Sequence, residues 1–311
     1  MPADQQQPSE RSARADLLST EAANPATAEI DRMTPLEIAR AMNAEDATVA
    51  AAVAHELPRI AAAIEATAAR LEQGGRLIYV GAGTSGRLGA LDAAECPPTF
   101  SVPPEMILAC VAGGPSALTR SAEDQEDDAA AGEADVATLG VSARDAVVGI
   151  AASGRTPYVL GAVGYARARG ALVVGLACNA DTPLAAAADI MVAPLVGPEV
   201  IAGSTRLKAG TAQKMVLNML STGAMILLGK TYGNLMVDVQ ATNAKLRARA
   251  LDIVCRIAGL EHDEATRLLE AAGGEAKTAI VMARTHASPA DARGRLAAHR
   301  GNLRRALEAG I

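Results

Sequence analysis

The sequence predicts an α/β protein, with a parallel sheet covered by helices on both faces and a smaller helical region after it. Three observations predict this. Short apolar runs alternate with helical patterns from Leu77 to Leu228, the signature of a parallel sheet buried between helices. Two of those runs enter similar Gly/Ser/Thr loops that open helices, Arg76-Leu-Ile-Tyr-Val-Gly-Ala-Gly-Thr-Ser-Gly-Arg87 and Ala146-Val-Val-Gly-Ile-Ala-Ala-Ser-Gly-Arg-Thr156. After Gly229 the pattern turns charged and helical.

Residues 1–18 are rich in Gln, Ser, Pro and charge and read as a disordered tail. Residues 36–72 read as helical, with Val49, Val53, Leu57, Ile60 and Ile64 on one face, Pro58 as a break and Gly74–Gly75 as the end. Strands are expected at Leu77–Val80, Met106–Val111, Ala146–Ile150, Ala171–Ala177 and Ile190–Ala193. Helices are expected after the first loop, at Ser116–Gly132, Tyr158–Arg169 and Leu184–Ala188, and as one long element at Ser204–Leu228. Residues 245–311 read as four helical stretches broken at Gly259, Gly273–Gly274 and Ser288–Pro289; Asp263 and Ser288 look like helix starts. The expected organisation is a tail at 1–18, the α/β domain with its N-terminal helices at 19–240, and a helical domain at 241–311.

Composition excludes several classes. Half of the 311 residues are apolar but only 2% are aromatic, so Ala, Val, Leu, Ile and Met fill the core. A net charge of −6 argues against a nucleic-acid surface. The four cysteines (Cys96, Cys110, Cys178, Cys255) and four histidines are scattered without metal-ligand spacing. They suit a cytoplasmic protein with reduced, buried thiols and no metal. Met1 to Asp16 lacks an apolar signal core, and the most apolar stretch, Met215–Leu228, is too short and too polar to span a membrane.

In both glycine loops, small residues let a ligand approach the backbone, and free N–H groups at a helix N-terminus favour an anion. Thr84, Ser85, Ser153 and Thr156 add hydroxyl donors, and Arg87 and Arg155 add charge. Ordinary tight βα turns have the same composition, so each loop alone is weak evidence. A third such segment, Gly197–Lys214, places Glu199, Ser204, Thr205, Arg206 and Lys208 ahead of the long helix. Two acidic elements could supply acid–base chemistry. Glu95 precedes a Cys96-Pro-Pro98 stop, and Glu123-Asp-Gln-Glu-Asp-Asp128 puts five carboxylates in six residues. Spacing alone does not choose among the five.

These segments together resemble the N-acetylmuramic acid 6-phosphate etherase family. The resemblance rests on Gly81-Ala-Gly-Thr-Ser-Gly-Arg-Leu-Gly89, Leu91-Asp-Ala-Ala-Glu-Cys-Pro-Pro98, Gly149-Ile-Ala-Ala-Ser-Gly-Arg-Thr-Pro-Tyr158 and the Gly197–Lys214 run. Ser19-Thr-Glu21 with Asn24, and Gly233-Asn-Leu-Met-Val-Asp-Val239, extend it from about residue 18 to the C-terminus. The Gly197–Lys214 run is also similar to glucokinase regulatory proteins, which bind sugar phosphates without catalysis. The resemblance implies a sugar-isomerase (SIS) fold, a homodimer, no cofactor, and cleavage of the D-lactyl ether in cell-wall recycling. It implies two catalytic glutamates, one at Glu95 and one in the acidic element. Counting from Gly113-Gly-Pro-Ser-Ala-Leu-Thr-Arg120 gives Glu126, with Glu123-Asp124 as the competing register because Ser121-Ala-Glu-Asp-Gln125 departs from the family pattern. Asn179-Ala-Asp181 also departs, from an Asn-Pro-Gly turn. The expected roles are Glu95 as acid to the departing lactate and Glu126 as base at C2, with Thr84, Ser85, Ser153, Arg155, Thr156, Glu199, Ser204, Thr205 and Lys208 binding the sugar phosphate. The rivals are a non-catalytic sugar-phosphate sensor and an aldose–ketose isomerase. A transcription factor fits poorly, because residues 1–35 hold six acids and three arginines.

Overall fold

The computed structural model describes residues 18–120, 123–238 and 244–309. The predicted tail therefore lies outside the described residues, except for Leu18. Helices α1 (Pro35–Asp46), α2 (Val49–His55) and α3 (Leu57–Glu72) come first. Thr34 starts α1 with a capping box to Glu37. The chain breaks at Glu56, so Pro58 sits in the first turn of α3, where its missing N–H costs nothing. Val49, Val53 and Ile60 are buried as the periodicity predicts, whereas Leu57 is 48% exposed.

The sheet then builds from β1 (Leu77–Gly81), α4 (Gly83–Phe100), β2 (Ile107–Val111), α5 (Ala129–Thr138), β3 (Ala146–Ile150), α6 (Pro157–Ala168), β4 (Leu172–Leu176), α7 (Pro183–Ala187) and β5 (Ile190–Val192). All five strands are parallel, in the order β2-β1-β3-β4-β5. One face packs on α3, α4 and the long helix α8 (Lys208–Leu227); the other packs on α5, α6 and α7. Every residue of β1, β3 and β4 is buried, as expected for strands sandwiched between helix layers.

At the amino edge of the sheet, Arg76 donates to both carboxylate oxygens of Asp145, at 3.0 Å each. Asp145 is 2% exposed and also accepts from the backbone N–H groups of Arg76 and Ser142. Burial opposes its ionisation, but Arg76 and these N–H donors outweigh it and hold the carboxyl below the usual carboxylate range. A lowered folded-state pKa gives stability that is present above the unfolded pKa and is lost as pH falls through the folded one. Asp145→Asn should therefore cost about 2 kcal/mol at neutral pH. In denaturant melts the difference from the parent protein should shrink below about pH 4.

Beyond a two-stranded hairpin, β6 (Thr231–Tyr232) and β7 (Leu235–Met236), come α9 (Ala244–Ala258), α10 (His262–Ala271), α11 (Ala276–Thr285), α12 (Pro289–Ala298) and α13 (Leu303–Glu308) around an apolar cluster of their own. The breaks fall at the predicted glycines and at Ser288, which caps α12. A fifth helix, α13, was not predicted; the turn before it holds Arg300 and Gly301 at positive φ. Buried Lys277 ties this region to the end of α8 through the Gly229 carbonyl (3.0 Å) and Asp238 (2.7 Å).

Three predicted elements differ. Ser116–Gly132 is not one helix: 3-10 turns at Gly114–Leu118 and Glu123–Gln125 precede α5, which starts only after Asp128 caps it by accepting from the Ala131 N–H at 2.9 Å. Crowded carboxylates and aspartates favour the turn and cap over the helix interior. The α8 helix begins at Lys208, four residues later than Ser204. Cys96-Pro-Pro98 does not stop α4: the helix carries through to Phe100 and ends at Ser101, which is at φ 50°. Among the described residues no single helix is long and apolar enough to cross a membrane.

Candidate active site

Gly81 and Ile150 are paired at the ends of β1 and β3, so the two glycine loops leave the sheet side by side. Sequence runs from β1 to one side, into β2, and from β3 to the other, into β4. The crevice between β1 and β3 is thus the topological switch point, where ligands bind at the carboxyl ends of parallel strands.

The first loop is almost wholly helical, with Thr84 and Ser85 in the opening turn of α4. Thr84 is half-buried. Ser85 is buried and donates to Gln213 Oε1 of α8 at 3.0 Å. The second loop is a true turn: Gly154 has φ 65°, and a Cβ there would lie 2.4 Å from the Thr182 hydroxyl, so only glycine fits. Ser153 is half-buried and its hydroxyl accepts from the Arg155 N–H at 3.1 Å, while Arg155 is exposed and Thr156 borders the start of α6. Ser204 and Thr205 lie in the turn before α8. A Cβ on Gly210 would be 3.5 Å from both the Thr205 carbonyl and the Thr84 methyl, which places this turn against the first loop. Asn179 holds the same end together by accepting from Ser19 at 2.8 Å and donating to the Ala152 carbonyl at 2.9 Å. The non-glycine variant of its turn puts Asp181 at φ 52°.

Glu199 and Lys208 are engaged inside the protein. Glu199, fully buried, accepts from the N–H groups of Lys208 and Ala209 at 2.9 Å each and so neutralises the start of α8. Buried Lys208 pairs with Glu45 of α1 at 2.5 Å, holding that carboxyl below its usual range. Arg87 donates to the carbonyls of Ala117 (2.9 Å) and Arg120 (2.8 Å), which fastens the segment leading to the acidic turn.

The two predicted catalytic glutamates fall at different places. Glu126 lies in the turn before α5, exposed, and its carbonyl accepts from the Tyr158 N–H at 3.0 Å, two residues after Thr156. It therefore belongs to the carboxyl end of the sheet, with both loops. Glu95 is exposed eleven residues along α4 from Thr84, about 16 Å down the axis, towards the amino ends of the strands. Of the competing position Glu123, only its place in the preceding 3-10 turn is described.

Two polar residues that the sequence does not single out, Asp92 and Gln213, are buried beside these elements. Asp92 is 5% exposed and accepts from Tyr79 Oη (2.7 Å), Asn218 Nδ2 (2.6 Å) and Ser221 Oγ (3.2 Å). These bonds fasten α4 to β1 and α8 one turn before Glu95. Burial and the neighbouring Asp92 push the Cys96 thiol up to about 12, so it stays protonated and unreactive. Gln213 is fully buried, and its Nε2 finds no acceptor among the described residues. An acid in the apolar Leu91–Ala94 run was the available signal for Asp92; for Gln213 there was only its place in the Gly197–Lys214 run.

A parallel sheet with phosphate-type loops at its switch point defines a SIS-type protein, and residues 129–223 match the SIS domain family. Residues 59–167 match the glucokinase regulatory protein N-terminal SIS domain. An N-acetylmuramic acid 6-phosphate etherase from Streptomyces avermitilis is 61% identical over 87% of this chain and 88% of its own length. One from Rhodopirellula baltica is 54% identical over 93% and 96%. A putative sugar-phosphate isomerase structure from Listeria monocytogenes is similar at 18% identity and TM-score 0.47, covering 64% of this chain and 94% of that one. The chain belongs to the N-acetylmuramic acid 6-phosphate etherase family.

Proposed function

We propose that this protein hydrolyses the D-lactyl ether of N-acetylmuramic acid 6-phosphate to N-acetylglucosamine 6-phosphate and D-lactate, in the cytoplasm, during cell-wall recycling. The observation that carries the reading is the pair of hydroxyl-bearing loops at the β1–β3 switch point with Glu126 beside the second of them. The high identity to named etherases along nearly the whole chain supports the substrate.

In this reading the phosphate lies over the N-terminus of α4 and the second loop, with Thr84, Ser153, Arg155, Thr156, Ser204 and Thr205 as donors and Ser85 contributing its first-turn backbone N–H, since its hydroxyl is given to Gln213. Glu199 and Lys208 hold the third segment in place. Ring opening exposes the C1 aldehyde and acidifies the C2 proton. Glu126 removes that proton, the electron pair forms a C2–C3 double bond, and the C3–O bond breaks as Glu95 protonates the lactyl oxygen. Water then adds at C3 and a proton returns to C2. Phosphate binding at a distance from the reacting bond holds that bond against the carboxylates.

Glu95 and Glu126 must reach neighbouring carbons of one sugar. The phosphate and C3 are joined by a chain of five bonds of about 1.5 Å each. Glu95 is about 16 Å from Thr84 along α4, and an anion sits ahead of the helix, which lengthens the gap. The reading therefore includes a homodimer in which Glu95 of one copy reaches the loops and Glu126 of the other.

The test is D-lactate release from N-acetylmuramic acid 6-phosphate in buffer containing EDTA. Stoichiometric lactate and N-acetylglucosamine 6-phosphate are expected. Tight binding of the sugar phosphate without lactate would instead favour a sensor.

A further inference from the structure

We infer that Arg249 of α9 binds the carboxylate of the lactyl group, and that the cavity it shares with Glu95 is the leaving-group subsite of the reaction proposed above. The cavity measures about 680 Å³ and lies between the end of α4, the segment Ser101–Pro104 that leads to β2, the hairpin residue Met236, and α9. Its walls are prolines, Val102, Met236, Leu246 and small hydroxyl residues; among the described residues, Glu95 and Arg249 are the only charged groups that line it.

Arg249 is exposed and makes no ion pair among the described residues, although Asp252 lies one turn on. A guanidinium and a carboxyl group lining a partly apolar hollow match the lactyl group part by part. That group carries an ether oxygen to be protonated, a methyl to be covered by apolar walls, and a carboxylate one carbon away that needs a cation. A planar guanidinium suits a carboxylate because it can donate two parallel N–H bonds. The cation also has a reason in the chemistry. As the C3–O bond breaks, negative charge grows on an oxygen next to a carboxylate, and a fixed cation there lowers that repulsion while Glu95 delivers its proton. The phosphate loops and Glu126 say nothing of what leaves C3; this cavity does, and it makes the acid form of the ether the preferred substrate.

The assignment rests on the etherase reading, and its test separates the two. Arg249→Gln, Arg249→Lys and the parent protein would be assayed for lactate or lactamide release. The substrates are N-acetylmuramic acid 6-phosphate and its lactyl N-methylamide, which lacks the negative charge. The parent should prefer the acid. Arg249→Gln should lose 10- to 100-fold in kcat/KM on the acid, the range of one charge-assisted hydrogen-bonded pair, and change less than threefold on the amide. Arg249→Lys should keep most of the preference. Retained turnover of the amide shows that the variant is folded. Equal losses on both substrates, or no loss on the acid, would overturn the role of Arg249. A parent protein that releases no lactate at all would overturn the etherase reading, and this subsite with it.

Discussion

Two inactive variants should restore each other when combined in one dimer. Glu95→Gln and Glu126→Gln each remove one of the two proposed proton-transfer groups, and each alone should lower lactate release by about 10³-fold. If one copy supplies Glu95 and the other Glu126, a dimer with one subunit of each kind has one site with both substitutions and one with neither. Random reassortment makes half of the dimers mixed, so co-expressed variants should recover about a quarter of the parent activity. Mixed dimers purified through two different tags should recover about half. If both glutamates of a site came from one chain, every site would carry a substitution and no mixture would exceed the single variants. The prediction follows from helix geometry, since the eleven-residue step from Thr84 to Glu95 runs along an unbroken α4 that leads away from the switch point. A mixture that stays inactive, with mixed dimers shown to be present, would return both carboxylates to one chain.

Local pattern and tertiary pattern separate cleanly in this chain. Leu77–Gly81, Ala146–Ile150 and Leu172–Leu176 are legible as apolar runs because strands buried on both faces have no polar side to show. The glycine loops are legible because positive φ and close backbone approach leave few choices of residue, as at Gly154. The start of α8 is not, because the groups that settle it are distant in sequence. Glu199 satisfies the N–H groups of Lys208 and Ala209 from nine and ten residues upstream, and Ser204, the residue that looks like a cap, sits in a turn. Lys208 reads as a ligand-binding cation until the fold shows Glu45, 163 residues away, against it. The acidic element reads as a helix by composition, yet Asp128 uses its carboxylate as a cap and leaves Glu126 in a turn. Arg249 carries no local signal, since only the packing of α9 beside the end of α4 gives it a neighbour in Glu95.

The turn that holds Glu126 depends on one helix crossing, and a single methyl group there should cost both stability and rate. A Cβ on Gly132 of α5 would lie 1.9 Å from the Tyr158 carbonyl oxygen, and a Cβ on Gly161 of α6 would lie 2.0 Å from the Ala129 carbonyl oxygen. The two helices touch backbone to backbone at reciprocal glycines three residues from their contact partners, and rigid main chain leaves nothing to yield. Tyr158 adds two bonds across the same junction, from its hydroxyl to Asp135 at 2.6 Å and from its N–H to the Glu126 carbonyl at 3.0 Å. Gly161→Ala must force the helices apart, and overpacking of this kind should destabilise the protein by about 3 kcal/mol. Gly164→Ala, on the same helix with nothing within 4 Å, is the control and should stabilise by up to about 1 kcal/mol through helix propensity. The activity readout distinguishes positioning from general loss of fold. Below the melting transition, Gly161→Ala should lower kcat well beyond tenfold if Glu126 is the proposed base, because a 1 Å displacement of a catalytic group is enough for that, while KM, which the proposal assigns to the two glycine loops, changes little. Unchanged kcat in a destabilised Gly161→Ala variant would mean that Glu126 keeps its place without the crossing. A parallel rise in KM would mean that the α5–α6 junction supports the second phosphate loop rather than the base.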